Sequence, residues 1–470
     1  MSSEQESANL VFIPLPILSH QAAAVQTAGL LVERDPRLSV TIIVMKLPID
    51  TKINSHGSSP DDRHPRIRFV ELPPDEQSFV KWGKTPSSLT VHYINSQKGP
   101  VRDVVKSIPK SVRIVGFVVD MFCTAMIDIA DELGLPSYIF FTCSASTLGL
   151  FFGLQEFRDG QDKDLAEYEN SEFEISLPSY ANSVPAKVWP SLVFDKDRDF
   201  LGTTKKFRGT KGIVVNTFLE FEPHAIRALS GHGNIPHVYP VGPIIQPVVK
   251  KGGYEDVFKW LDEQPDSSVV FVCFGSIHCF EAGQAKEIAE GLEKSGQRFV
   301  WSLRKPPPAG GTLEFPGEYE DPGEVLPEGF LERTSGVGKV IGWAPQLAVL
   351  AHQAVGGFVS HCGWNSVLES VRGGVPIAAW PLAAEQQANA FQLVREPGIA
   401  VQVKMEYNKI SCSEIVPAER IERAVRELMG PENAVRRAKV RALRDTSRVA
   451  MSRGGSSYDY LGRFIDSIFG

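Results

Sequence analysis

Residues 343–386 bring together, within one short stretch, the side chains that a nucleotide and a sugar would need. Its centre, GGFVSHCGWNSVLESV, reads as a strand over 357–360, a tight turn through His361, Cys362 and Gly363, and a helix starting near Asn365. A helix that begins where a strand ends points unpaired N–H groups and a positive dipole end outward, which suits a diphosphate. His361, Asn365 and Ser366 stand at that mouth. Trp343 offers an indole to stack on a base, with Gln346 close behind it. Glu369, one helical turn past Ser366, offers a carboxylate to ribose hydroxyls. Glu385 and Gln386 supply an acceptor and a mixed donor and acceptor for sugar hydroxyls.

The W-x-P-Q opening, the H-C-G-W-N-S centre, Glu369 and the E-Q ending closely resemble the plant secondary product glycosyltransferase signature. That signature marks UDP-sugar-dependent enzymes of glycosyltransferase family 1. The resemblance implies an α/β, GT-B architecture, with two Rossmann-like doubly wound domains facing across a cleft. It also implies UDP-glucose as co-substrate, no cofactor and no metal, and adds Ala344, Trp364 and Thr142 to the donor contacts.

Sugar transfer to a hydroxyl needs a base for the acceptor proton and stabilisation of the departing diphosphate. His20 follows strand-like 10–13 across a loop and precedes a helix, the place of the family's catalytic His. Asp120 ends the strand in FVVDMF and matches the family's buried Asp, which holds the imidazole in one tautomer. Phe274-Gly275-Ser276 ends a strand in the second half, where small residues let backbone approach a phosphate. Departures from the family pattern occur at Ser19 for Gly, Ala24 for Pro, His278 and Cys279 for small residues, and Ala383 for a frequent Tyr. Gln386 at the final signature position usually accompanies glucose donors, because an amide can donate to one equatorial hydroxyl while accepting from its neighbour.

The chain that must position these residues has 470 residues, enough for two or three domains. Hydrophobic residues make up 43% and charged residues 22%, as in ordinary globular proteins, and a net charge of −7 argues against a nucleic-acid surface. Cys123, Cys143, Cys273, Cys279, Cys362 and Cys412 show no paired spacing and read as buried free thiols. The acidic amino terminus with Pro14 and Pro16 does not read as a signal peptide, and no apolar run has membrane-spanning length. The expectation is a cytoplasmic monomer.

Apolar strands at 10–13, 40–44, 67–72, 114–119, 137–141, 212–216 and 237–241 alternate with helices at 21–34 and 125–133, which implies a parallel, doubly wound sheet. The stretch 73–100 reads as loop, and 157–199 as an excursion over a crevice. A second α/β unit has strands at 269–274, 299–303 and 339–341 and a helix at 284–292. The expected domains are 1–245 for the acceptor, 246–254 as linker, 255–452 for the UDP-sugar, and 453–470 as a helix crossing back to the first domain. Its stripe of Leu461, Phe464, Ile465, Ile468 and Phe469 must be buried somewhere.

Weaker motifs lead elsewhere. Asp195 and Asp197 have D-x-D spacing but lie in a charged loop with Asp199. Gly83-Lys84-Thr85 lacks the first glycine of a phosphate loop, Gly336 and Gly338 lack a third, and no Gly-x-Ser-x-Gly elbow occurs. The leading expectation is an inverting glucosyltransferase acting on a small lipophilic phenol such as a flavonoid. C-glycosylation of an electron-rich ring and a non-catalytic nucleotide-sugar binder stay open. An NAD-dependent oxidoreductase lacks its glycine fingerprint.

Overall fold

Continuous Val-, Ile- and Phe-rich runs with no polar alternation can be satisfied only by strands covered on both faces. A computed structural model of the chain describes residues 8–47, 64–82, 92–194, 199–245, 253–307, 316–405 and 414–470. Cys412, Asp195, Asp197, Gly83-Lys84-Thr85 and nearly all of the 246–254 linker lie outside the described residues. The chain separates into two units, one of Met1–Lys163, Asp195–Gln246 and Val449–Gly470, the other of Asp164–Phe194 and Pro247–Arg448.

The first unit holds β1 (Ala8–Ile13), β2 (Leu38–Val44), β3 (Ile67–Glu71), β4 (Arg113–Asp120) and β5 (Ser137–Phe141). After the short antiparallel pair β6 (Glu174–Ile175) and β7 (Val184–Pro185) of the other unit, it continues with β8 (Gly212–Val215) and β9 (His237–Pro240). Its sheet runs in the order β3-β2-β1-β4-β5-β8-β9, with every pair parallel. The second unit repeats the plan with β10 (Val269–Cys273), β11 (Arg298–Ser302), β12 (Gly338–Ile341), β13 (Val355–Ser360), β14 (Ile377–Ala379) and β15 (Ala400–Gln402). Its order is β12-β11-β10-β13-β14-β15, again all parallel.

Each sheet reverses its winding once, between β1 and β4 in the first unit and between β10 and β13 in the second. At such a reversal the loops leaving two neighbouring strands part in opposite directions and open a crevice beyond the strand ends. The two switch points therefore fix where ligand chemistry can sit in each unit.

Helix α1 (Leu18–Arg34) starts three residues before the expected 21, so His20 lies inside its first turn rather than in the loop before it. Helix α2 (Ala145–Gln161) has no counterpart in the sequence reading. Residues 145–152 are all buried, which erases the one-sided period that marks a surface helix. Its first N–H groups are taken by Ser144, which caps Thr147, and by the buried Glu222 carboxylate, which accepts from Ala145 and Ser146. The stretch 73–100 contains helix Glu76–Trp82 and the start of Lys98–Ser107 where loop was expected.

In the second unit, helix α3 (Trp364–Gly373) follows β13, and α4 (Gln386–Arg395) follows β14. The segment 164–194 belongs with this unit: Gln387 Nε2 donates to the Trp189 carbonyl, and Ala181 N–H donates to Glu396. Helix α5 (Ser456–Phe469) belongs with the first unit, where Leu461, Phe464, Ile465 and Ile468 join the core formed by Leu10, Phe12, Val118, Tyr138 and Phe140. Phe464 meets Tyr138 edge-on with centroids 5.0 Å apart, and each such buried side chain stabilises the fold by about 2 kcal/mol. Among the described cysteines Cys279 is only partly buried, while the other four are buried free thiols.

Candidate active site

In the first unit the switch point brings His20, carried by the helix after β1, against the end of β4. His20 Nδ1 stands 2.7 Å from Asp120 Oδ2. The Asp120 side chain is 1% exposed, and its other oxygen accepts from Phe122 N–H at 3.0 Å, so the carboxylate cannot swing away. The His20 side chain is 17% exposed. A carboxylate on Nδ1 holds the imidazole with Nε2 as acceptor and stabilises the cation formed on proton uptake. Ala24 is buried in the second turn of α1, where alanine keeps its N–H in the helix ladder and a proline would not. Phe122 lies 5.9 Å from the His20 ring and 5.7 Å from Phe200, which in turn packs edge-on to Phe151 at 4.8 Å. His20 therefore sits beside an aromatic wall.

Thr142 also belongs here: its Oγ1 is 3.4 Å from His20 Nδ1. Every other residue assigned to the donor lies in the second unit. Asp199 caps the helix Phe200–Lys205 through Gly202 N–H and pairs with Arg158 at 2.6 Å, a structural role.

The second unit's switch point joins the loop after β10 to the turn after β13. His361 directly follows β13 with 7% exposure, and Nδ1 of its ring has no hydrogen-bond partner among the described residues. Glycines make room for the ring: a Cβ on Gly275 would stand 2.8 Å from its Cε1, and one on Gly363 2.5 Å from its Nε2. Cys362, between them, has a left-handed backbone with φ 62°, strain that the surroundings must hold in place. Asn389 on α4 does so by donating to the Cys362 carbonyl at 3.0 Å, and Ser360 Oγ accepts from Cys362 N–H. Neither was singled out from sequence, since each acts across the fold. The α3 N-terminus has Gly363 as its cap and no side-chain cap, and its dipole end favours an anion. Ser276 is exposed on the neighbouring loop and Asn365 half-exposed.

Behind this turn, Gln346 Nε2 donates both to Ser366 Oγ at 2.8 Å and to Glu369 Oε2 at 2.6 Å. Burial raises the Glu369 carboxyl to about 7, against the pull of the Gln346 hydrogen bond. Trp343 is half-buried, with Tyr254 at 6.0 Å and its backbone N–H donating to Glu318. Ala344 and Trp364 have buried side chains. The Gln386 carbonyl oxygen accepts from both Leu382 and Ala383 N–H at 2.9 Å. That occupies the acceptor half of the pairing expected for sugar hydroxyls and leaves the amide to donate. The left-handed Ala384, φ 54°, precedes Glu385, which is half-buried.

A family model described as UDP-glucoronosyl and UDP-glucosyl transferase matches residues 247–441. The chain is 49% identical to UDP-glucose flavonoid 3-O-glucosyltransferase 6 of Fragaria ananassa, with 99% of each chain covered. The chain belongs to this family. Among solved structures, this glycosyltransferase is similar to a transferase from Siraitia grosvenorii in complex with UDP, with 43% identity, a TM-score of 0.88 and coverage of 98% of this chain and 100% of that one. It is also similar to Medicago truncatula UGT71G1 complexed with UDP-glucose, with 38% identity, a TM-score of 0.87 and full coverage of both chains. The fold is GT-B, as the signature implied. Among the described residues no group of three or more His, Cys, Asp and Glu is placed to hold a metal ion, and no helix is long and apolar enough to cross a membrane.

Proposed function

We propose that this enzyme transfers glucose from UDP-glucose, with inversion, to a hydroxyl of a small phenolic, flavonoid-like acceptor. The observation that carries the reading is that each unit's switch point holds one half of the required chemistry. His20, oriented by Asp120, takes the acceptor proton in the first unit, beside Phe122 and Phe200. In the second unit Trp343 stacks on the uracil, Glu369 holds the ribose, and the α3 N-terminus with His361, Asn365, Ser366 and Ser276 takes the diphosphate. Glu385 and the Gln386 amide donate to or accept from the sugar. Thr142 and Gln346 act through their neighbours, Thr142 on His20 and Gln346 on Glu369.

The acceptor class draws support from the flavonoid glucosyltransferase relative and from the aromatic wall beside the base. A cytosolic, monomeric protein with domains near 1–245, 255–452 and 453–470 belongs to the same proposal, and the free thiols suit a reducing compartment. Incubation with UDP-glucose and a panel of flavonoids should yield products heavier by one hexose and labile to acid. Binding of UDP-glucose with no product from any phenol would make the protein a binder, and an acid-stable product would place the new bond on carbon.

A further inference from the structure

His278 and Cys279 stand where the family has small residues, in the loop that leaves β10 at the second unit's switch point. The His278 ring lies 5.3 Å from that of His361, tilted by 46°. Nδ1 of both rings is buried without a hydrogen-bond partner among the described residues. Two imidazoles thus approach each other beside the uncapped α3 N-terminus, each with an unspent nitrogen. Unpaired buried polar atoms cost free energy unless something else meets them.

We propose that His278 is a second imidazole of the diphosphate subsite, and that a bound nucleotide diphosphate draws a solvent proton onto the His278–His361 pair, which then donates to its oxygens. This rests on the reading of the second unit as the donor site. In the free protein burial pushes His278 down to about 4, partly offset by the Phe274 carbonyl. Burial, with His278 next, holds His361 well below the ordinary value. Both rings are therefore neutral near pH 7. An anion against them favours the charged form and reverses the shift. A proton enters from water, no bond to carbon changes, and one imidazolium is enough, because its neighbour resists a second.

Among the described residues, the other titratable and charged groups around this loop include Cys279, Glu281, Arg304, Tyr319, Glu324, Cys273 and Glu369. All stay in place in the variants that test the idea. UDP-glucose is the probe, since its doubly esterified diphosphate has no proton that titrates near neutrality. Calorimetry in two buffers of different ionisation enthalpy counts protons taken up on binding.

The wild-type protein should take up protons and bind more tightly as pH falls from about 8 to about 6, by at most about tenfold per pH unit for one proton. His278→Gln, with His278→Asn as a second variant, should lose most of that uptake. It should bind UDP-glucose roughly tenfold more weakly at about pH 6 while matching wild type within about twofold at about pH 8.5. Equal proton uptake and equal pH slopes in wild type and both variants would overturn the role of His278. His361→Ala separates the two readings. If it binds UDP-glucose as tightly as wild type at every pH, the donor-site assignment itself fails, whereas weakened binding there with unchanged slopes in the His278 variants removes His278 alone.

Discussion

The two units share a strand order over six strands, with a seventh at the edge of the first sheet, but use their switch-point histidines in opposite ways. His20 has its Nδ1 satisfied by a buried carboxylate at 2.7 Å and is itself partly exposed. His361 is buried, lacks a partner for Nδ1 among the described residues, and has another histidine for a neighbour. The strand-to-helix turns differ in the same sense. The α2 N-terminus is closed by Ser144 and Glu222, whereas the α3 N-terminus has no side-chain cap. A paired histidine is prepared to accept a proton from a neutral ligand, and an unpaired one beside an open helix end is prepared to meet an anion. On the proposed reading, one fold serves base catalysis in one unit and leaving-group binding in the other through the partner each imidazole is given.

The largest effect expected from this contrast is on turnover. His20→Ala should lower kcat by roughly a hundred- to ten-thousandfold while the UDP dissociation constant stays within about twofold, because the base acts on the acceptor. Asp120→Asn should also lower kcat while leaving KM for UDP-glucose near wild type, by favouring the wrong imidazole tautomer. Near-normal turnover in His20→Ala would erase the distinction between the two histidines.

On the anion side, Glu369→Ala should weaken UDP binding by about ten- to hundredfold in calorimetry, and unchanged affinity would remove Glu369 from the ribose. Glu369 also has a signature in stability. Its carboxyl is raised from an ordinary 4.5 to about 7 by burial, so the folded state keeps a proton that the unfolded chain has released across that window. Stability contributed there is present at low pH and is lost as pH rises through the window. Glu369→Gln should therefore gain in melting temperature relative to wild type on going from about pH 5 to about pH 8. A constant difference would mean that Glu369 is solvated.

A smaller effect attaches to Gln386. With its oxygen held by Leu382 and Ala383, one donated hydrogen bond remains to select the sugar, which is worth only about fivefold in kcat/KM for UDP-glucose over UDP-galactose on one phenolic acceptor. Equal or greater efficiency with galactose would place the selection elsewhere. The smallest expected effect is that of EDTA. If the helix end and the histidines meet the diphosphate charge, activity is unchanged by chelation, and a loss restored by magnesium or manganese would refute that division of labour.

Much of this was legible in the residue order. Continuous apolar runs announced the buried parallel strands, Leu461 to Ile468 announced a helix with one face to bury, and the 343–386 stretch carried the family and most of the residues proposed for the donor. These are local signals, written within one or two turns of chain. Helix α2 escaped because burial on every side removes its period, and the first turn of α1 because Leu18-Ser19-His20 carries no capping signal.

The remaining features depend on which strands become neighbours. Strand order sets β1 beside β4 and β10 beside β13, and only that order brings Asp120 to His20 and His278 to His361. The occupation of the Gln386 oxygen, the Asn389 anchor on Cys362 and the docking of Trp189 on α4 likewise arise between segments distant in the chain. A residue's type determines what it can donate, accept or ionise. Its partner, and hence whether an imidazole is paired with a carboxylate or left for an anion, is settled by burial and by non-local packing that no single stretch encodes.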